Sequence, residues 1–250
     1  MKKFVSEGVG FKNNVYTFNY TKDNVSDAIK LEAIKNKIYF NTKLDVKIFY
    51  GYSFQQQVPN DIKRDFLHKL KENKINKFDY NNFILSAIKR FSTAIDIKNI
   101  DAILTPKSGS PLASDIAKHI HSLTTKSILI NDAIVKNTID KIKIDFDTYN
   151  KNAKTDQEKE KRKKQLERDY KYATKDGNFQ IKKVFKSRAK FFHNFLSLNP
   201  QQTKVLDNIQ NSNILIVDDY KVSGITTEEL IKTIQVLNPK QITIFVLIKK

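Results

Sequence analysis

The feature that most restricts this chain is a pair of strand-length apolar runs, Asn213–Val217 and Gln241–Ile248, separated by a loop and a helical segment over Thr226–Leu237. A strand that is apolar at nearly every position must be covered on both faces, as happens in parallel sheets whose crossovers are helices. Asn238-Pro239 stops the intervening helix, because proline cannot continue it. The same order recurs upstream. A helix through Asp61–Glu72 is followed by Asn81–Ile95, in which Phe83, Ile84, Ala87, Ile88, Phe91, Ala94 and Ile95 share one face. A short strand (Asp101–Leu104), a loop (Thr105–Ser110) and a helix near Pro111 come next, with Ser110 as N-cap and Leu112, Ala113, Ile116, Ala117 and Ile120 as its buried stripe. Ser127–Ile130 reads as another strand. The expected fold is therefore α/β, an open and mainly parallel sheet flanked by helices.

Two regions stand apart from that pattern. Residues 1–55 hold short β-favouring pieces (Val15–Phe18, Ile38–Phe40, Leu44–Tyr50) rich in aromatics, and read as an N-terminal β-rich hood. Residues 132–210 read as an insertion between a first half of the core at 56–131 and a second half at 211–250. Within the insertion, Lys151–Ala173 alternates charges with almost no apolar face, as a solvated helix or a mobile arm does.

Cysteine is absent, which excludes disulfides and thiolate metal sites. The N-terminal MKKFVSEGVGFKNN lacks the apolar stretch of a signal peptide, and no apolar run is long enough to span a bilayer. A soluble, cytoplasmic protein with no membrane partner is expected. The net charge of +18 attracts polyanions, nucleic acid among them, although a chain rich in Lys, Asn and Ile throughout accounts for it without such a partner. The four histidines (68, 119, 121 and 193) show no metal-binding spacing.

The chemistry concentrates in Ile214–Thr226, ILIVDDYKVSGIT. A buried strand carries Asp218 and Asp219 to the carboxyl edge of the sheet, where open α/β sheets bind ligands. Gly224, Ser223 and Thr226 then lead into a helix whose first amides and dipole suit an anion, and Thr226 with Glu229 has capping-box spacing. Two carboxylates beside a phosphate cradle would repel phosphate alone. They suit a ligand that also offers hydroxyls, or a divalent cation held between the charges.

This segment resembles the 13-residue signature of type I phosphoribosyltransferases. The resemblance implies that Asp218 and Asp219 hold the ribose hydroxyls as the catalytic-site acids. It also implies that Lys221, Val222, Ser223, Gly224, Ile225 and Thr226 wrap the 5-phosphate, and that Mg²⁺ sits near Asp218 and Asp219, directly or through water. Val222 stands where the family often has Thr or Ala, and Asp in enzymes that use 6-oxopurines. Valine exchanges no proton, which argues against a 6-oxopurine acceptor.

A second strand–loop–helix, Ile103–Ala113, offers Lys107, Ser108, Gly109 and Ser110 to another anionic group, and is similar to the family's pyrophosphate loop. The implied activity is transfer of ribosyl phosphate from phosphoribosyl pyrophosphate to an unidentified nitrogenous acceptor. A nucleotide-sensing regulator on the same fold and a basic nucleic-acid-binding protein remain as alternatives, and a homodimer is compatible with each. The stretch Lys182–Lys190 is either a cationic closing loop over the leaving pyrophosphate or a basic strand–helix junction. Aromatics in 1–55 either stack on a base or pack a satellite core.

Overall fold

The computed structural model describes residues 7–12, 15–19, 28–35, 46–54, 60–175, 177–221 and 224–249. In chain order the elements are β1 (Glu7–Lys12), β2 (Val15–Asn19), β3 (Ala28–Lys35), β4 (Val46–Phe54), α1 (Asn60–Lys71), α2 (Lys77–Ala94), β5 (Ala102–Pro106), α3 (Leu112–Ser122) and β6 (Ile128–Lys136). Next come β7 (Lys143–Ile144), α4 (Phe146–Asn150), α5 (Asp156–Thr174), β8 (Phe192–His193), β9 (Leu196–Leu198), α6 (Thr203–Asp207), β10 (Asn213–Lys221), α7 (Gly224–Gln235) and β11 (Gln241–Lys249). They divide into two compact units. The first is Met1–Ala133, Lys204–Val222 and Leu237–Lys250; the second is Ile134–Thr203 and Ser223–Val236.

The first unit is built on a sheet ordered β2-β1-β3-β4-β11-β10-β5-β6. Its centre is parallel: β4 with β11, β11 with β10, and β10 with β5. The Ile128 amide donates to the Asp101 carbonyl and the Asp132 amide to the Thr105 hydroxyl, so β6 runs the same way as β5. The apolar runs of β10 and β11 are buried at both parities, as their composition requires. Helices α1, α2 and α3 share one apolar core with the sheet, containing Phe66, Phe83, Ile88, Ile116, Leu215 and Leu247. The Tyr52 ring stacks on Phe83 at 4.1 Å, and its hydroxyl donates to the Phe83 carbonyl at 2.9 Å.

The N-terminal region differs from the expected hood. β4 is a buried strand paired along its length with β11, and β1, β2 and β3 extend the same sheet in antiparallel order. The alternation in 1–55 was legible; its destination was not, because a strand's register with a distant partner leaves no local mark. The expected strand at Ile38–Phe40 lies outside the described residues.

The second unit has a core of its own around Leu166, Phe179, Phe192 and Phe195. Of the two expectations for the charged segment, helix or arm, the helix holds, as α5. Leu166 and Ala173 of α5 are buried, Thr155 caps the helix by accepting from the Glu158 amide, and Asp169 holds Arg188 through both oxygens at 2.6 and 3.0 Å. That pair pins the 182–190 stretch, with Val184 and Ala189 buried, as turns of the unit and not as a separate closing loop. Residues 134–136 of β6 pair antiparallel with β9. α7, expected in the core's second half, clusters with this unit: buried Glu229 accepts from the Phe195 amide at 3.1 Å.

Helix α2 can approach β4 closely because Gly51 faces Ala87. A Cβ at Gly51 would lie 2.8 Å from the Leu247 carbonyl oxygen and 3.0 Å from the Ala87 Cβ. Gly51→Ala should therefore lower stability by about 1–3 kcal/mol through overpacking. In urea unfolding this should appear as a lower midpoint at unchanged slope.

Candidate functional site

The two loops singled out in the sequence leave the first unit's sheet side by side. β10 pairs with β5 up to Ile216 opposite Leu104. Carrying that register on by two residues sets Asp218 level with Pro106, where β5 ends and the Lys107–Ser110 loop begins. On its other side β10 stays paired with β11 as far as Lys221 opposite Lys249. The strand thus runs past both acids instead of ending at Val217, and Asp218 is level with the end of the shorter β5.

Strand alternation separates the two acids. Leu215 and Val217 belong to the core shared with α1–α3, so Asp219 falls on that face and Asp218 on the opposite one. Asp219 is buried, 6% exposed. Its compensation comes from Lys71, whose Nζ lies 2.7 Å from Asp219 Oδ2; the contact is a charge pair without an aligned hydrogen bond. The Asp219 amide donates to the Asp218 carboxylate at 2.9 Å.

Lys71 is placed by the end of α1. The Lys74 amide donates to the Lys69 carbonyl and the Asn73 amide to the Leu70 carbonyl, with Asn73 at φ 53°. This is a Schellman closure using asparagine where glycine is commoner, and it makes Lys71 the last helical residue. The Lys71 carbonyl also accepts from Ser110 Oγ at 3.0 Å. One residue therefore ties both candidate loops, through its main chain to the first and its side chain to the second.

Ser110 is committed to structure. Besides donating to Lys71, its Oγ accepts at 3.3 Å from the amide of Leu112, the first residue of α3, which starts one residue later than expected. Ser108 Oγ accepts from the Ser110 amide, while Lys107, Ser108 and Gly109 are exposed. A Cβ at Gly109 would meet nothing within 4 Å, so a ligand has room against that backbone. Behind the loop, buried Thr105 accepts from the Asp132 amide at 3.2 Å, and Ser114 donates to Asn131 at 3.0 Å. These bonds fix the end of β5 against β6 and α3.

Tyr80, 5% exposed, donates its hydroxyl to Asp115 at 3.2 Å. Burial first, then the neighbouring charges of Asp115 and Asp219, pushes its phenol well above the usual tyrosine range.

The remaining residues of the signature are placed separately. Lys221 is the last residue of β10, and Val222 and Ser223 lie outside the described residues. Gly224, Ile225 and Thr226 form the first turn of α7 in the second unit. Thr226 is inside the helix and is not its cap. Glu229 serves Phe195 and completes no capping box. Carboxylates on opposite faces of a strand do not chelate one ion, so Asp218 and Asp219 do not fit a shared Mg²⁺ site. Among the described residues no group of three His, Cys, Asp or Glu side chains is arranged to hold a metal. His121 pairs with Ser127 at 2.9 Å, and His68 lies 3.3 Å from Glu72.

Set against protein-family models, curated proteins and solved structures, the chain finds no match. Its site is read from its own residues. Lys71, Tyr80 and Asp115 were missed in the sequence, where a lysine closing a helix reads only as complement to the helix dipole.

Lys71→Met should destabilise the chain by about 1–3 kcal/mol, below the 3–5 kcal/mol of a fully buried broken pair because the Lys71 side chain is 34% exposed. A double-mutant cycle with Asp219→Asn should recover part of that loss, and additive effects would refute the pairing. Alkaline titration offers an independent check. Tyr80 is raised, and burial lifts Tyr50 to about 12, so the folded state favours both protonated phenols. Stability should hold up to the ordinary tyrosine value near 10 and fall as pH rises toward the folded values, and less so in Tyr80→Phe.

Proposed function

We propose that the carboxyl edge of β5 and β10 binds the ribosyl phosphate of phosphoribosyl pyrophosphate, and that the chain transfers it to a nitrogenous acceptor with release of pyrophosphate. The observation that carries this reading is the convergence of Lys107–Gly109 and Asp218, more than a hundred residues apart, on neighbouring parallel strand ends. Ligands of open α/β sheets bind at such ends.

In this reading Lys107, the Ser108 hydroxyl and the Gly109 amide face the pyrophosphate, and Asp218 accepts from a ribose hydroxyl. Asp219 contributes by holding Lys71, which in turn holds the first loop. The acceptor nitrogen's lone pair forms the bond to C1 as the C1–O bond breaks, and pyrophosphate leaves with that electron pair. Positive charge developing on the ribose is stabilised by the nearby carboxylate, and alignment supplies much of the rate. No step is assigned to a metal, since the two acids do not share an ion.

A second reading, ligand binding without transfer, is favoured by one observation. Among the described residues, the N-terminal strands lengthen the sheet instead of forming the hood an acceptor would need. Phosphoribosyl pyrophosphate at about a hundred times its dissociation constant should stabilise the wild type by about 2.7 kcal/mol in thermal unfolding. Asp218→Asn and Lys107→Gln should each lose most of that shift. No shift in the wild type, or an equal shift in Asp218→Asn, would overturn the site. Pyrophosphate release with a panel of bases separates transfer from sensing.

A further inference from the structure

We infer that the second unit binds single-stranded nucleic acid, its phosphates lying in an open cleft beside α5 and a base stacking on Phe185. The cleft measures about 690 Å³. Five of its twelve lining residues are cations (Lys151, Lys161, Arg162, Arg188 and Lys190), and Glu158 is the one acid among them. Residues 134–203 hold eighteen lysines and arginines against nine acids, which is half of the net charge of +18.

The cations are of two kinds. Both arginines are held in place: Arg162 donates to the Tyr149 carbonyl at 2.9 Å and to Glu158 at 2.6 Å, and Arg188 makes its two-pronged contact with Asp169. Lys151, Lys161 and Lys190 are exposed and can follow a flexible chain of phosphates. A fixed guanidinium frame with mobile ammonium groups around it suits an extended polyanion better than a single small anion.

The aromatic rings decide in favour of unpaired bases. Phe185 is 65% exposed, and the Arg188 guanidinium lies 4.7 Å from its centroid. Arg188 thus joins the exposed ring to the cleft. The pairing recurs at Tyr172, 60% exposed with Lys183 Nζ at 5.8 Å from its ring. Exposed rings beside cations are how sequence-tolerant single-strand binders hold bases, whereas bases inside a duplex present no open face to stack.

The test is fluorescence anisotropy of the full chain with a labelled oligothymidylate of about 20 nucleotides, longer than a typical 4–16-nucleotide single-strand site. Binding should weaken linearly in a plot of log affinity against log salt. The triple variant Lys151→Gln/Lys161→Gln/Lys190→Gln should reduce that slope by about 2, roughly 0.7 per lost phosphate contact. Phe185→Ala should weaken binding about tenfold with the slope unchanged, as loss of one stacked base does. Both changes are at exposed positions, and unchanged thermal unfolding verifies the fold. Asp218→Asn should bind the oligonucleotide like the wild type, so this result stands or falls apart from the ribosyl-phosphate site. No binding at about 50 mM salt, equal affinity for a duplex of the same length, or unchanged binding by either variant overturns the inference.

Discussion

The first unit depends on β10 lying buried between two parallel neighbours. A strand in that position must be apolar on both faces, and Ile214–Val217 meets the demand. The same ladder governs the chain beyond Val217. Because β5 stops short of β10, the next residues pass from a fully paired environment to one paired on a single side. Polar side chains enter the strand there, Asp218 half-buried and Asp219 buried.

Asp219 shows the cost of that position and how it is met. A carboxylate 6% exposed needs a partner, and the chain supplies Lys71 from the far end of α1. The placement of Lys71 depends on asparagine adopting a left-handed conformation at Asn73, and its carbonyl holds the serine that starts α3. Three elements distant in sequence are thereby locked to one geometry. Of two adjacent acids, one is structural and the other is left on the opposite face. Two neighbouring letters in a motif do not share a role when the strand's period separates them.

The second unit obeys a different logic. Its surface charges form short-range helix pairs such as Lys159 with Asp156, worth little individually, while Leu166 and a group of phenylalanines supply the apolar core. Asp169 and Arg188 connect α5 to the basic 182–190 stretch. The many cations are thus carried on an ordered scaffold, which is what allows their distribution to be specific.

Much of the fold was legible in the residues. The helical stripe of 81–95, the Pro111 start, the stop at Asn238-Pro239 and the apolar strands are local signals, since period, capping and proline chemistry act within a few residues. Strands β6 and β10 run longer than expected because pairing continues beyond the apolar run. The candidate site was half legible. Asp218 and the Lys107–Gly109 loop announce themselves by residue type and spacing, while Lys71, Tyr80 and Asp115 do not. By itself the sequence determined the alternation of strand and helix and where the acids, lysines and hydroxyl residues cluster, because those depend on local periodicity and residue type. Tertiary structure alone decided that the N-terminal strands lengthen the sheet, that α7 belongs with the insertion and that Asp219 faces Lys71, because each depends on contacts between segments whose separation along the chain leaves no trace in either one.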